Sequence, residues 1–254
     1  WLDLLRTHHP RWDAEARAVI GRWRTERLVQ NGEMWGTYRT SRGERFRQEG
    51  RTGYEEYAAR GLVRWGIVPD VALALDHTAE VTVEGVSLRA DMRDHAFLTA
   101  DPFVYAALEM GTLGSEFDAL AASIWEVHRA RWRRTGEVGA FAEDALDTRP
   151  WFAYHNLVFE GAPFAATTGR GRPVADAPTF SAKAALAYAV LHPEAPLAAR
   201  YREALDGLVT GAGVLAGRYA DGRPNRSLNI NTNAVALTAL WVAARGGRPL
   251  AEGR

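Results

Sequence analysis

The chain has 254 residues, is 47% hydrophobic, contains no Cys and balances 31 Lys+Arg against 31 Asp+Glu. This predicts one large globular domain, 1–254, with ample core. Zero net charge argues against nucleic acid as a partner, no Cys means no disulfide or thiolate zinc site, and no apolar run is long enough to span a bilayer.

Residues 10–28 predict an amphipathic helix with Pro10 in its first position and Trp12, Ala16, Val19, Ile20 and Trp23 on one stripe. From 29 to 51 a long loop alternates Trp35, Tyr38 and Phe46 with polar residues, the pattern of a short hairpin. A helix over 53–66 follows. Thr52 and Glu55 form a T-x-x-E capping box, and Tyr54, Tyr57, Ala58, Gly61, Leu62 and Trp65 recur at helical spacing. Glu56 and Arg60, four residues apart, read as a pair in solvent, whereas Glu55 falls between Leu62 and Ala59 on the buried side. A short helix is expected over 69–75. Val81 and Val83, the turn Glu84-Gly85, then Val86 and Leu88 make a second hairpin pattern.

Asp101-Pro102 opens a helix over 102–110 that is apolar except for Glu109. Ser115 and Asp118 cap an amphipathic helix over 115–134. The connection 135–179 carries Asp147 and an aromatic cluster of Trp151, Phe152, Tyr154, His155, Phe159 and Phe164. Ser181 starts the helix 182–191, apolar apart from Lys183, the chain's single lysine. Pro193 breaks it, and 195–209 forms a third amphipathic helix. Asn231 and Asn233 cap a last helix, 234–244, apolar on every side.

Amphipathic helices (10–28, 69–75, 115–134, 195–209) thus alternate with helices apolar nearly all round (53–66, 102–110, 181–191, 234–244). The first kind needs one buried face and the second must be surrounded. The pattern predicts a mainly α fold, an (α/α) toroid or barrel of inner and outer helices with short β-hairpins in its loops. The long loops fall together at the N-termini of the inner helices, where function is expected. Four helix pairs are visible where a closed toroid commonly has six, and the chain starts at Trp1. The expectation is therefore a C-terminal portion of a larger domain, incomplete at its N-terminus.

Three stretches carry a resemblance. Gly50-Arg-Thr-Gly-Tyr-Glu-Glu-Tyr-Ala-Ala59, the 141–154 run with Asp147, Pro150 and Trp151, and Asn231-Thr-Asn-Ala234 before an apolar helix resemble the bacterial domain-of-unknown-function family 3131 (DUF3131). The resemblance spans essentially the whole chain. It implies an (α/α) toroid related at fold level to β-1,2-glucan-active glycoside hydrolases, in an envelope or exopolysaccharide setting. It also implies an earlier segment with a Trp-Asp motif, expected to lie before Trp1.

Glycoside hydrolysis needs two carboxyls flanking the bond, about 6.5–9.5 Å apart for inversion and about 5–5.5 Å for retention, one of them held protonated by apolar surroundings. Glu55, beside Tyr54, Ala59 and Leu62, suits the acid; Glu49 or Asp101 is the expected partner. Helix capping is the competing role for Glu55 and for Asp101. Trp35, Tyr38, Trp151, Tyr154 and Phe164 are candidates for stacking on sugar rings or for packing the loops down, and Tyr54 is a further substrate-binding candidate. His155 is a candidate hydroxyl donor or an ordinary hydrogen-bonded histidine. Asn231 and Asn233 are candidates for ligand hydroxyls or for capping. Lys183 is expected to snorkel or to pair with an acid.

No metal-ligand spacing appears, His8-His9 cannot face one site, and Gly169-Arg-Gly171 lacks a preceding strand and a third glycine, so no metal and no cofactor is expected. The functional expectation is a glycoside hydrolase or transglycosylase acting on a bacterial polysaccharide, a β-glucan included, in the periplasm or outside the cell. The alternative is a non-catalytic glycan-binding or scaffold domain in polysaccharide synthesis or export.

Overall fold

A computed structural model describes residues 1–48, 52–93 and 97–253. Among them are nine helices: α1 (Leu2–His8), α2 (Asp13–Ile20), α3 (Thr25–Leu28), α4 (Tyr54–Val63), α5 (Asp101–Glu109), α6 (Ser115–Thr135), α7 (Ala182–Leu191), α8 (Pro196–Ala204) and α9 (Ile230–Ala244). Six small antiparallel sheets lie between them. Three have three strands: Val29–Gln30, Glu33–Thr40 and Gly43–Gln48; Glu143–Ala145, Phe152–His155 and Ala166–Thr167; and Pro178–Ser181, Gly217–Tyr219 and Pro224–Asn225. The rest are hairpins, the longest pairing Thr78–Val83 with Val86–Asp91. Its two-residue turn has Glu84 and Gly85 both at positive φ, 51° and 76°, the twist that matches right-handed strands.

The mainly α toroid expected from the sequence is not what forms. Helix accounts for 40% and strand for 23%, a mixed α/β architecture. The physical reasons lie in particular segments. The stripe over 10–28 does not make one helix: a 3₁₀ turn at Pro10–Trp12 leads into α2, which stops at Gly21, and α3 is a single turn. The segment 69–75 reduces to a 3₁₀ turn, Val71–Leu73. The long connections spend their residues on hairpins, where each backbone group finds a partner across a strand pair. Nor is α9 surrounded, for Ile230, Leu237, Leu240 and Trp241 stand exposed along it.

The centre of the molecule is α7. It packs against α5, α8 and α9, and α5 in turn packs on α4, α6 and α9. Alanine makes this possible: Ala182, Ala184, Ala185, Ala187 and Ala189 are all buried, so neighbouring helices approach closely without loss of helix propensity. Between α6, α7 and α8, the Trp125 ring stacks on Tyr188 at 4.9 Å and on His192 at 4.5 Å.

The helix starts differ from those the sequence predicts. Gly53 precedes α4 at φ 97°, and a Cβ there would meet Pro102 Cγ at 2.6 Å and Phe103 Cε2 at 2.7 Å. Only glycine lets the start of α4 meet the start of α5 so closely. The carboxylate that returns to the helix start is Glu56, which accepts from Gly53 N–H at 2.6 Å; Thr52 instead donates its hydroxyl to Asp91 at 3.2 Å. The T-x-x-E capping box is therefore displaced by one residue, and Glu56 is buried rather than paired in solvent with Arg60. At α9 the cap is Asn229, which accepts from Thr232 N–H at 2.8 Å, so the helix begins before Asn231 and Asn233. At α6, Asp118 accepts from Leu113 N–H at 3.0 Å, while Ser115 makes no capping bond.

Candidate functional site

Four helices begin around one point. Tyr54 is the first residue of α4, Asp101 the first of α5, Lys183 the second of α7 and Asn231 the second of α9. Asp101 Oδ1 accepts from Lys183 Nζ at 2.6 Å and from the Tyr105 hydroxyl at 2.9 Å; its Oδ2 accepts from Glu143 N–H at 2.9 Å. Lys183 Nζ also donates to Asn231 Oδ1 at 2.9 Å and to the Tyr105 hydroxyl at 3.1 Å. The ion pair is almost fully enclosed, with side chains 3% and 1% exposed. Burial opposes the Lys183 ammonium, yet Asp101, Tyr105 and Asp144 around it hold its pKa well above the ordinary lysine value.

The strand Glu143–Ala145 adds two carboxyls. Successive strand residues point to opposite sides, which delivers Glu143 and Asp144 to different neighbours. Glu143 accepts from the Thr99 hydroxyl at 3.1 Å and from the Tyr54 phenol. Asp144 sits on the Lys183 side, buried, with Oδ1 lacking a hydrogen-bond partner. Burial pushes the Asp144 carboxyl up to about 6; Asp101 adds to the rise, and Lys183 and Ser181 oppose it. Burial likewise raises the Tyr54 phenol well above its usual value, with Asp101 and Glu143 adding to the effect.

Above this cluster lies a cleft of about 230 Å³, whose lining includes Tyr54, Tyr57, Tyr105, Glu109 and Asn231. The Tyr57 hydroxyl donates to Glu109 Oε2 at 2.6 Å. Burial raises the Glu109 carboxyl above the usual carboxylate range, against the hydrogen bond from Tyr57. The arrangement couples an aromatic, hydroxyl-bearing surface to a buried set of carboxyls.

Three of the sequence candidates meet here: Tyr54, Asp101 and Asn231. The others lie elsewhere. Glu55 is buried at the start of α4, where it accepts from Met34 N–H at 3.0 Å and from Arg93 at 3.1 Å; Arg93 also holds Asp91 at 3.3 Å. It does not line this cleft. Glu49 lies outside the described residues. Trp35 is half-buried in the hairpin that reaches Glu33–Thr40, and Tyr38 is exposed on the same strand. Trp151 is exposed, with φ at 72°; Tyr154 packs edge-on against Phe97 at 5.5 Å and Phe152 at 5.2 Å. His155 is buried, with its ring nitrogens 2.7 Å from Pro178 O and 3.2 Å from Phe164 O. Asn233 bridges the backbone of Val214, accepting from its N–H at 2.9 Å and donating to its carbonyl at 3.1 Å.

The sequence reading passed over Tyr57, Tyr105, Glu109, Glu143 and Asp144 as site residues. Two signals were present. Glu109 is the one charged residue after Asp101 in an otherwise apolar helix, and Glu143-Asp144 is an acidic pair directly following the apolar Phe141-Ala142. Among the described residues no group of His, Cys, Asp and Glu is arranged to hold a metal ion.

Residues 1–246 match the family model described as Protein of unknown function (DUF3131). The chain belongs to this family. No curated protein and no solved structure matches the chain. Among the described residues of this DUF3131 domain, no helix is long and apolar enough to cross a membrane.

Proposed function

We propose that this DUF3131 domain is carbohydrate-active and acts on a bacterial polysaccharide, in the periplasm or outside the cell, by carboxyl acid/base chemistry. The observation that carries the reading is the convergence of four helix starts beneath an aromatic cleft, with Glu143 and Asp144 beside them. Tyrosine rings give a sugar apolar area, and their hydroxyls, with Asn231, give hydrogen bonds. Asp144, buried beneath the cleft rather than in its lining, is the proton donor in this reading, with burial raising its carboxyl to about 6 so that a minor fraction carries the proton at neutral pH. Glu143, which accepts from Thr99 and Tyr54, is the partner carboxyl in this reading. Asp101 and Lys183 hold the tyrosines and Asn231 in place.

The second reading is glycan binding without turnover, as in a scaffold for polysaccharide synthesis or export. It is favoured by Asp101, whose oxygens are already taken by three donors.

The test incubates the protein and its Glu143→Gln and Asp144→Asn variants with a panel of bacterial glucans and exopolysaccharides and measures new reducing ends. Loss of an acid/base group removes about 10²–10⁴-fold in rate. Equal release by parent and both variants takes these residues out of the chemistry. Saturable binding without release selects the second reading, and neither binding nor release overturns both.

A further inference from the structure

The cleft has an electrostatic character that a neutral sugar does not require. Tyr54, Tyr57 and Tyr105 line it, the last two meeting edge-on with ring centroids 6.2 Å apart. Each of the three hydroxyls is turned to a carboxylate: Tyr54 to Glu143, Tyr57 to Glu109 and Tyr105 to Asp101. A phenol that donates to a carboxylate has a more electron-rich ring, and such a ring attracts cations to its face.

Carboxyls predominate around the cleft, although Trp1, also in its lining, brings a terminal ammonium that lowers the Glu109 pKa. Near the cleft α4 supplies no charge of its own, α5 supplies Asp101 and Glu109, and the strand Glu143–Ala145 supplies Glu143 and Asp144. The helix α9 supplies the neutral Asn231, and α7 supplies Lys183, whose charge is consumed by Asp101 at 2.6 Å. This lysine meets Tyr105 end-on at its hydroxyl, 3.1 Å away, and leaves the ring face to other cations. Carboxyls outnumber cations, and the surplus faces tyrosines.

We infer that the glycan taken by this cleft carries free ammonium groups: a de-N-acetylated amino sugar, seated with its nitrogen against the cleft-facing side of the Tyr57 and Tyr105 pair, beside Glu109. This rests on the reading of the cleft as a glycan site and deepens it. A uronate would meet like charge, and an N-acetylated sugar would bring no charge for Glu109 to meet.

Calorimetry on the full chain distinguishes these classes, with oligomers of glucosamine, N-acetylglucosamine, glucose and glucuronate as probes at one ionic strength. The glucosamine oligomer is expected to bind at least tenfold more tightly than the other three. Glu109→Gln, which keeps the side-chain shape and an acceptor for Tyr57, is expected to remove that preference, bringing the glucosamine oligomer to within twofold of the glucose oligomer. Tyr57→Phe serves as a second variant, checked for folding by circular dichroism, and is expected to weaken the same preference. Equal or better binding of glucose or N-acetylglucosamine oligomers overturns the ammonium inference and leaves the glycan reading standing. Tightest binding of glucuronate overturns it as well. No binding of any probe, with no release from the polysaccharide panel, overturns both.

Discussion

At the start of α4, Glu55, Glu56 and Asp91 gather near Arg93; at the starts of α5 and α7, Asp101, Glu143 and Asp144 gather near Lys183. Both clusters bury carboxyls beside helix N-termini, where the backbone dipoles favour negative charge. Their surroundings differ. Glu55 accepts from the backbone of Met34, and Asp91 accepts from Thr52, so the first cluster ties the two longest hairpins to α4. The second donates and accepts through Tyr54, Tyr105 and Asn231, and all three line a cleft. A buried acid is therefore a poor guide to a site by itself; whether its hydrogen-bond partners reach open space decides the matter.

The sharpest way to break this comparison is to remove each cation. Lys183→Met leaves Asp101 and Asp144 buried without their counter-charge, and breaking such a pair costs about 3–5 kcal/mol. Arg93 is more open, with 21% of its side chain exposed, and its acids keep backbone and hydroxyl donors. Arg93→Met is expected to cost about 1–3 kcal/mol, the range for leaving a buried group undersatisfied. Urea denaturation of both variants checks the order; an equal or larger loss at Arg93 would make the first cluster the more dependent of the two.

The second distinction is in pH. Glu56 is pushed up to about 8, mainly by burial, and Asp144 to about 6 for the same reason. Both values lie above the ordinary 4.5 and 3.8, so the folded chain holds protons that the unfolded chain has released. Stability is then greatest below the unfolded values and falls as pH rises through the folded ones, by about 1.4 kcal/mol per unit for each such group. Glu56→Gln is expected to flatten this fall between about pH 5 and 8. Asp144→Asn flattens only its acid end, below about pH 6. Denaturation midpoints across that range report both, and an unchanged slope in Glu56→Gln means that Glu56 is ionised in the native state.

The smallest effect is expected away from both clusters. Trp151, 59% exposed, touches neither, and Trp151→Ala is expected to change stability by no more than about 0.5 kcal/mol and glycan affinity not at all. Loss of binding in that variant would bring the 147–152 loop into the site.

The periodicity of the apolar residues located α4, α5, α6, α7 and most of α8 and α9, and the two valine-rich runs located a hairpin. These are local signals, set by which residues must leave water on one face of an element. Local signals also placed Tyr54, Asp101, Lys183 and Asn231 at or near helix starts. What they did not contain was the relation among those starts. The roles of Glu55 and Glu56 depended on whether Thr52 or Gly53 precedes the helix, and the packing of Gly53 on Pro102 and Phe103 decided that. The closure of helices into rings was likewise out of reach, since a stripe such as that over 10–28 is compatible with one helix or three short pieces.

The sequence by itself determined the core-forming helices, the lone lysine and the acids available to pair with it, because composition and spacing are properties of a single strand of chain. Only the tertiary structure decided that Lys183 meets Asp101, that Glu143 and Asp144 arrive from a strand some 40 residues distant from either, and that Tyr57, Tyr105 and Glu109 share a cleft. Those contacts join residues far apart in the chain, and their geometry follows from how closely alanine-faced helices approach one another, a quantity no local pattern carries.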